Sequence, residues 1–265
     1  MGNSSKERST CPGCRAACGG CRPCSNSAEA GRGSLRGDPS EVRNGAAAVG
    51  AAKEGEAYTG ARKHEEVDLG STTVILETWP NFRIGSCAWP SGFLLAKALS
   101  EGLEGLPVVK GQQVAELGAG PGLPGLVCGK LGAASVSLTD YAELVPLLRQ
   151  NIKLNGLEGN CSALALDWPL ASQSSLAVAR RPGSPLDVVL AADVVYFEEQ
   201  DPLVDALEAL MAPRQTVLVL AYRERTSSDR LYLQESILPR LEAPRRIDYG
   251  SPEHGSCEIY IGCLR

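Results

Sequence analysis

The stretch Gln113-Val-Ala-Glu-Leu-Gly-Ala-Gly-Pro-Gly122 decides the fold of this chain. Residues 113–117 are predicted to form a buried strand, and Gly118, Gly120 and Gly122 follow it directly. Glycine lets the backbone turn sharply and approach a ligand closely. A helix is expected from about 121 to 131, because prolines are tolerated in a first helical turn. The stretch therefore predicts a strand, a ligand-binding turn and a helix.

Around this unit, β-rich runs alternate with helical patterns, which predicts an α/β fold with a parallel sheet covered on both faces. The predicted strands are 72–78, 113–117, 135–139, 162–166, 186–191, 216–221, 246–249 and 258–264, and the predicted helices are 89–102, 121–131, 141–154, 201–211 and 228–241. The last two strands are too close in sequence for a helical crossover, so we expect an antiparallel C-terminal pair.

The composition divides the chain into two parts. Residues 1–66 are dominated by Gly, Ala, Ser, Pro, Arg and Glu, with Tyr58 as their one aromatic residue. Such a segment cannot bury enough apolar surface to offset the entropy of ordering, so a disordered tail is predicted. Residues 67–265 are predicted to form the folded domain.

The charge of the folded part limits its partners. After Glu66 there are 16 basic and 23 acidic residues, a formal net charge of −7. This disfavours nucleic acid and suits a basic protein partner or a small ligand. Neither a membrane span nor a secretion signal is recognisable. We expect a cytoplasmic monomer without membrane insertion, with the nucleus as a second location.

Five cysteines lie in the tail and five are scattered through the domain. The tail cysteines are Cys11, Cys14, Cys18, Cys21 and Cys24. Only three residues separate Cys14 from Cys18, whereas two zinc knuckles usually lie a dozen or more residues apart, so no metal site is predicted. The start Met1-Gly2-Asn3 invites N-myristoylation, but Lys6 replaces the preferred Ser or Thr. Zinc and lipid remain the less favoured alternatives.

Carboxylates stand where the predicted strands end. Asp140 lies 20 residues beyond Gly120, a position from which a carboxylate can accept hydrogen bonds from both ribose hydroxyls. The alternative is a capping box made by Thr139 or Asp140 with Glu143. Ribose binding is favoured because the side chain stands at the ligand edge of the sheet.

Two further predicted strands are followed by candidate ligand-binding residues. Asp167 and Trp168 follow the third central strand, where a carboxylate and an aromatic face can hold an adenine ring; a core tryptophan is the alternative. Asp193 follows the apolar run 186–191, and open α/β sheets bind ligands at the carboxyl ends of their strands. The alternative for Asp193 is a loop anchor.

A nucleotide-dependent oxidoreductase has to be weighed, because Gly120 to Gly125 satisfies G-x-G-x-x-G. That motif alone is weak. No plausible Tyr/Lys or His acid–base pair follows it, which disfavours a nicotinamide enzyme.

Taken together, several motifs resemble the small seven-strand S-adenosylmethionine-dependent protein methyltransferases. The motifs are Trp89-Pro90-Ser91, Glu116 to Gly122, Asp140, Asp167-Trp168, Ala192-Asp193-Val194-Val195-Tyr196 and Glu258-Ile259-Tyr260-Ile261. The nearest group includes the lysine methyltransferases of heat-shock chaperones and of valosin-containing protein. The resemblance covers 67–265 and implies a Rossmann-like, mostly parallel seven-stranded sheet.

This resemblance also implies the site. Asp193 and Tyr196 match a D-x-x-Y motif beside the methyl acceptor and are the candidate catalytic residues. The candidate cofactor-binding residues are Trp89, Glu116, Gly118, Ala119, Gly120, Asp140, Asp167, Trp168 and Ala192. The cofactor would be S-adenosylmethionine, the substrate a lysine side chain of a protein, and no metal is implied. Gly122-Leu123-Pro124-Gly125 is closer to relatives that act on arginine, so an arginine acceptor stays open, as does a non-catalytic scaffold.

Overall fold

The protein is described by a computed structural model that covers residues 58–174, 185–196 and 201–265. Within these residues one sheet has seven strands, in the order β5-β4-β3-β6-β7-β9-β8. The strands are β3 (Gln113–Leu117), β4 (Ser135–Asp140), β5 (Cys161–Ala165), β6 (Val188–Ala192), β7 (Val217–Tyr222), β8 (Leu241–Ser251) and β9 (Gly255–Leu264).

The topology places a switch point at the centre of the sheet. β3 pairs in parallel with both β4 and β6, and β5 and β7 extend the parallel part outward on either side. The chain therefore reverses its direction of winding between β3 and β6, and ligands of open α/β sheets bind at such a switch point. β9 runs antiparallel to both β7 and β8, so the predicted antiparallel end of the sheet is confirmed.

Helices cover both faces, as predicted. Helices α1 (Pro90–Glu101), α2 (Leu123–Lys130) and α3 (Val145–Leu154) share one apolar core with Val114. Helix α4 (Asp201–Leu210) and the π-helical turn Leu233–Ile237 share another core with Ala115. Successive strand residues point to opposite faces, so these neighbours in β3 serve different cores.

An N-terminal hairpin corrects the predicted domain boundary. β1 (Lys63–Asp68) pairs antiparallel with β2 (Thr73–Thr78), so ordered structure begins before residue 67. Nearly every residue of β1 is exposed, and the strand consequently shows no apolar alternation. Tyr58 adds a stacked ring contact to Trp79, with centroids 4.3 Å apart. The remainder of the predicted tail, 1–57, lies outside the described residues.

The predicted helix 228–241 is wrong in its second half. An α-helix, α5, spans only Ser227–Tyr232, and the π-helical turn is followed by a 3₁₀ turn at Leu238–Arg240. Pro239 lacks an amide hydrogen and cannot continue a regular helix. β8 then begins at Leu241 and is longer than predicted, because an exposed edge strand carries little hydrophobic pattern. No helix among the described residues is long and apolar enough to cross a membrane.

Candidate active site

The glycine turn follows β3 at the switch point. Gly118, Gly120 and Gly122 have φ angles of 60°, 57° and 88°, the left-handed region in which other residues are strained. A Cβ at position 118 would lie 2.9 Å from Val194 Cγ1, and one at position 120 would lie 2.7 Å from the Gly85 carbonyl oxygen. These positions therefore require glycine for both conformation and space. The amide of Ala119 fixes the turn by donating to the carbonyl of Thr139 at 2.9 Å.

Asp140 faces this turn from the end of β4. One carboxylate oxygen accepts from the Gly120 amide at 2.8 Å, and the other accepts from the Tyr141 amide at 2.7 Å. Burial raises the pKa of Asp140, and these two hydrogen bonds oppose the rise. Each carboxylate oxygen can accept two hydrogen bonds. Asp140 therefore keeps acceptor capacity on both oxygens for a pair of ligand hydroxyls.

The capping box considered for this strand end is not formed. The 3₁₀ turn Ala142–Leu144 has Tyr141 at its N-cap, without a side-chain cap. Thr139 instead donates to the carbonyl of Glu116 at 2.6 Å, and Glu143 pairs with Arg83 at 2.7 Å.

Trp168 borders the glycine turn from the end of β5. Its Cζ2 atom would lie 3.3 Å from a Cβ at position 118. The ring is partly buried, at the start of the 3₁₀ segment Trp168–Gln173. Asp167 is exposed; burial raises the pKa of Tyr141, and the charge of Asp167 adds to that rise. Trp168 and Asp167 thus stand at the edge that also carries Asp140.

Asp193 occupies the end of β6 in a left-handed conformation, with φ 57° and a side chain only 3% exposed. One carboxylate oxygen accepts from the backbone amide of Ser91 at 2.7 Å. The other accepts from Arg225 at 2.5 Å. Ser91 lies in the first turn of α1, where amides have no partner within the helix. Asp193 therefore anchors the start of α1, close to the other candidate catalytic residue, Tyr196.

Arg225 was not found by sequence reasoning. It follows β7, the strand beside β6, and its guanidinium lies 5.3 Å from the centre of the Trp89 ring and 5.8 Å from that of Tyr196. Both distances are within the range of cation–π attraction. Trp89 is held by its indole N–H, which donates to the carbonyl of Ile84 at 3.0 Å. Arg225 therefore joins Trp89, Asp193 and Tyr196 in one cluster, which we call the arginine cage.

Glu116 has a structural role in the core, and its predicted cofactor contact stays a prediction. Its carboxylate accepts from the amide of Gly125 at 2.9 Å, in the first turn of α2. The side chain is fully buried, and this burial raises its pKa to about 8. Glu116 therefore anchors α2 from inside the core, on the face opposite to that of Leu117.

Asn151 is a second residue that sequence reasoning missed. From α3 it donates to the carbonyls of Pro121 and Glu77 at 2.8 and 2.9 Å, and it accepts from the Glu77 amide at 2.7 Å. The side chain thus ties the glycine turn to β2. A polar residue on the apolar face of an amphipathic helix was the available signal.

The sheet edge fits a nucleoside cofactor. A turn with three glycines, a carboxylate with spare acceptor capacity and an indole ring adjoin one another at the ends of β3, β4 and β5. Together with an antiparallel end of the sheet, these features define a Rossmann-like methyltransferase.

Comparison with known proteins specifies the family. The lysine methyltransferase family matches residues 70–237, and the chain belongs to this family. The predictions of a seven-strand methyltransferase, of S-adenosylmethionine as its cofactor and of a lysine side chain of a protein as its substrate are confirmed.

Curated relatives agree with this assignment. Protein-lysine N-methyltransferase EFM6 of Saccharomyces cerevisiae is 31% identical over 189 residues, which are 64% of this chain and 76% of the relative. Protein N-lysine methyltransferase METTL21A of Danio rerio is 33% identical over 160 residues, 60% of this chain and 70% of the relative. Human histone-arginine methyltransferase METTL23 is 35% identical over 116 residues, 43% of this chain and 55% of the relative.

Among solved structures, the fold is similar to that of the 16S rRNA N2 G1207 methyltransferase RsmC of T. thermophilus, solved in complex with AdoMet and guanosine. The TM-score is 0.53 at 20% identity, and the match covers 77% of this chain and 51% of RsmC. At this identity the likeness concerns the fold alone.

Proposed function

We propose that this lysine methyltransferase binds its cofactor across the carboxyl ends of β3, β4 and β5, and its lysine acceptor at the arginine cage beside β6. The observation that carries the proposal is Asp140, whose buried carboxylate faces the glycine turn and keeps acceptor capacity on both oxygens. The arginine cage lies at the next strand ends, on the same edge of the sheet.

The residues of the glycine turn and its neighbours each contact a different part of the cofactor. Asp140 accepts from the ribose hydroxyls, Trp168 and Asp167 adjoin the adenine, and Gly118, Ala119 and Gly120 bring backbone close to the ligand. Trp89 and Ala192 border the part of the site nearest the acceptor. When bound, S-adenosylmethionine supplies a methyl group on a sulfonium, from which a thioether leaves.

The acceptor must arrive as a neutral amine, because its lone pair forms the new bond to the methyl carbon. A lysine side chain has a pKa near 10.4 in water, so the site has to favour loss of that proton. Tyr196 does not take the proton as a phenolate, because burial raises its pKa to about 12. Its ring and that of Trp89 instead orient the amine and exclude water.

The charge of the domain favours a basic substrate. The 23 acidic and 16 basic residues after Glu66 attract a protein segment with several lysines and repel nucleic acid. We propose further that the enzyme acts as a monomer in the cytoplasm, with the nucleus as a second location. Size-exclusion chromatography and imaging of the tagged full chain test these two points.

The experiment for the proposed function is transfer of tritiated methyl groups into proteins of a cell extract. The full chain should label a discrete band, in which mass spectrometry finds methyllysine. Asp140→Ala should label far less at limiting cofactor. Calorimetric titration of the full chain with S-adenosylmethionine should give a saturable isotherm, and NAD should give none. Methylarginine in the band, or labelling unaffected by Asp140→Ala, would contradict the proposal.

A further inference from the structure

The arginine cage contains a charge arrangement that bears on the acceptor. Asp193 is a buried carboxylate with one oxygen on the Ser91 amide and the other on Arg225. The Arg225 side chain is 28% exposed and lies against the rings of Trp89 and Tyr196. The guanidinium of Arg225 therefore already contacts the carboxylate of Asp193 and both aromatic rings. Without Arg225, these three groups would attract a lysine ammonium.

A carboxylate beside an amine stabilises the protonated form, whereas a cation nearby destabilises it. Without a partner, Asp193 would keep the acceptor lysine as an ammonium, which has no lone pair to donate. The ion pair with Arg225 cancels the charge of Asp193, and the Ser91 amide uses the other oxygen.

The other ionisable groups around the arginine cage do not neutralise the charge of Asp193 in place of Arg225. Burial raises the pKa of Tyr196 and of Cys257 on β9 to about 12, so both stay neutral. The α1 end of the cage contributes no acidic residue in its first turn. Asp140 at the end of β4 and Tyr141 directly after it add to the rise in the pKa of Tyr196. Arg223, directly after β7, donates to the carbonyl of His254.

We propose that Arg225 is a specificity-determining residue that neutralises Asp193 and so selects the uncharged form of the acceptor lysine. The inference rests on the proposed function, because it needs the acceptor at the cage. An arginine acceptor would gain little from this device, since its guanidinium keeps its proton in proteins. No other carboxylate within the described residues pairs with Arg225.

The test is the pH dependence of methyl transfer by Arg225→Gln and wild type, measured as initial tritium incorporation into the strongest labelled band at saturating S-adenosylmethionine. We expect the variant to be about tenfold slower at pH 7, which corresponds to a one-unit rise in the pKa of the acceptor amine. The difference in rate between the variant and wild type should narrow as the pH rises to 9.5, because the acceptor amine then loses its proton in both enzymes.

Controls separate this role from a structural one. Arg223→Gln removes the same charge two residues away, and its rate relative to wild type should not vary with pH. Arg225→Lys keeps the charge and should restore most of the rate. In the double variant Asp193→Asn/Arg225→Gln the carboxylate is absent, so the shape of the pH profile should return to that of wild type even if the overall rate is lower. Melting temperature and cofactor affinity are measured on each preparation.

Several results would overturn the inference. A deficit of Arg225→Gln that is independent of pH would make Arg225 a structural anchor. A faster variant at pH 7 would mean that Arg225 only competes with the acceptor. Failure of the wild type to label any band would overturn the proposed function itself, and this outcome is recognisable without the variants.

Discussion

The carboxylate of Asp193 accepts a hydrogen bond from the backbone amide of Ser91, which lies 102 residues earlier in the chain, at 2.7 Å. This bond joins the end of β6 to the first turn of α1. The residue that the D-x-x-Y motif places beside the acceptor is thus also a structural anchor. The catalytic interpretation and the anchor interpretation of Asp193, which the sequence separates, therefore apply to one side chain.

Asp193→Asn is expected to lower both turnover and stability. In asparagine an amide nitrogen, which cannot accept, replaces one of the two carboxylate oxygens, so either the bond from Ser91 or the bond from Arg225 is lost. We expect a loss of about 2–4 kcal/mol in the free energy of unfolding and a fall in turnover of about 100-fold. Denaturant unfolding and the methyl-transfer assay measure the two effects.

The matched control for Asp193 is Asp187→Asn. Asp187 also accepts from a backbone amide, that of Gln113 at 2.7 Å, but at the start of the central strands rather than at their carboxyl ends. This variant should lose stability and keep its turnover per folded molecule. Normal stability with lost turnover in Asp193→Asn would contradict the anchoring role.

Asp140→Ala should weaken S-adenosylmethionine binding by about 2 kcal/mol, or roughly thirtyfold in Kd. The substitution removes a charged acceptor from two ribose hydroxyls and also frees the Gly120 amide. Calorimetric titration measures the affinity. Glu143→Ala is the control, because this half-exposed carboxylate pairs with Arg83 and should change the Kd less than about twofold. Equal effects of the two variants would remove Asp140 from the cofactor site.

Glu116→Gln should change how stability depends on pH. Burial raises the pKa of Glu116 from 4.5 to about 8, so the folded state holds a proton that the unfolded state releases between these values. This group therefore lowers stability as the pH rises through that window, by at most about 1.4 kcal/mol per pH unit. In urea unfolding from pH 5 to 8, the free energy of unfolding of Glu116→Gln should increase relative to that of wild type as the pH rises. A constant difference would mean that Glu116 is ionised throughout.

Two N-terminal deletions test where the domain begins. Removal of residues 1–57 should leave the melting temperature unchanged, because their composition predicts no share in the core. Removal of residues 1–68 should lower it, because Trp79 loses its stacking on Tyr58 and the buried Glu77 loses its 2.8 Å contact with His64. Calorimetry of both chains measures the difference. Equal melting temperatures would return the boundary to residue 67.

Much of the sheet could be predicted because burial leaves a pattern. The predicted strand at Gln113–Leu117 matches β3 residue for residue, and the carboxyl edge followed from where the predicted strands end. The exposed β1 has no such pattern. The contact between Arg225 and Asp193 depends on β7 lying beside β6, and strand order is a property of the whole fold. The sequence therefore predicted Trp89, Asp193 and Tyr196 of the arginine cage but not Arg225.

The side chain of Asn151 gives the hairpin a link to the site that distance alone would not indicate. Its amide group holds the Pro121 carbonyl of the glycine turn, and its oxygen holds the amide of Glu77 in β2. A ligand that steadies the glycine turn also steadies Asn151. Slower hydrogen–deuterium exchange at the single Glu77 amide would then report, from outside the main sheet, that the cofactor is bound.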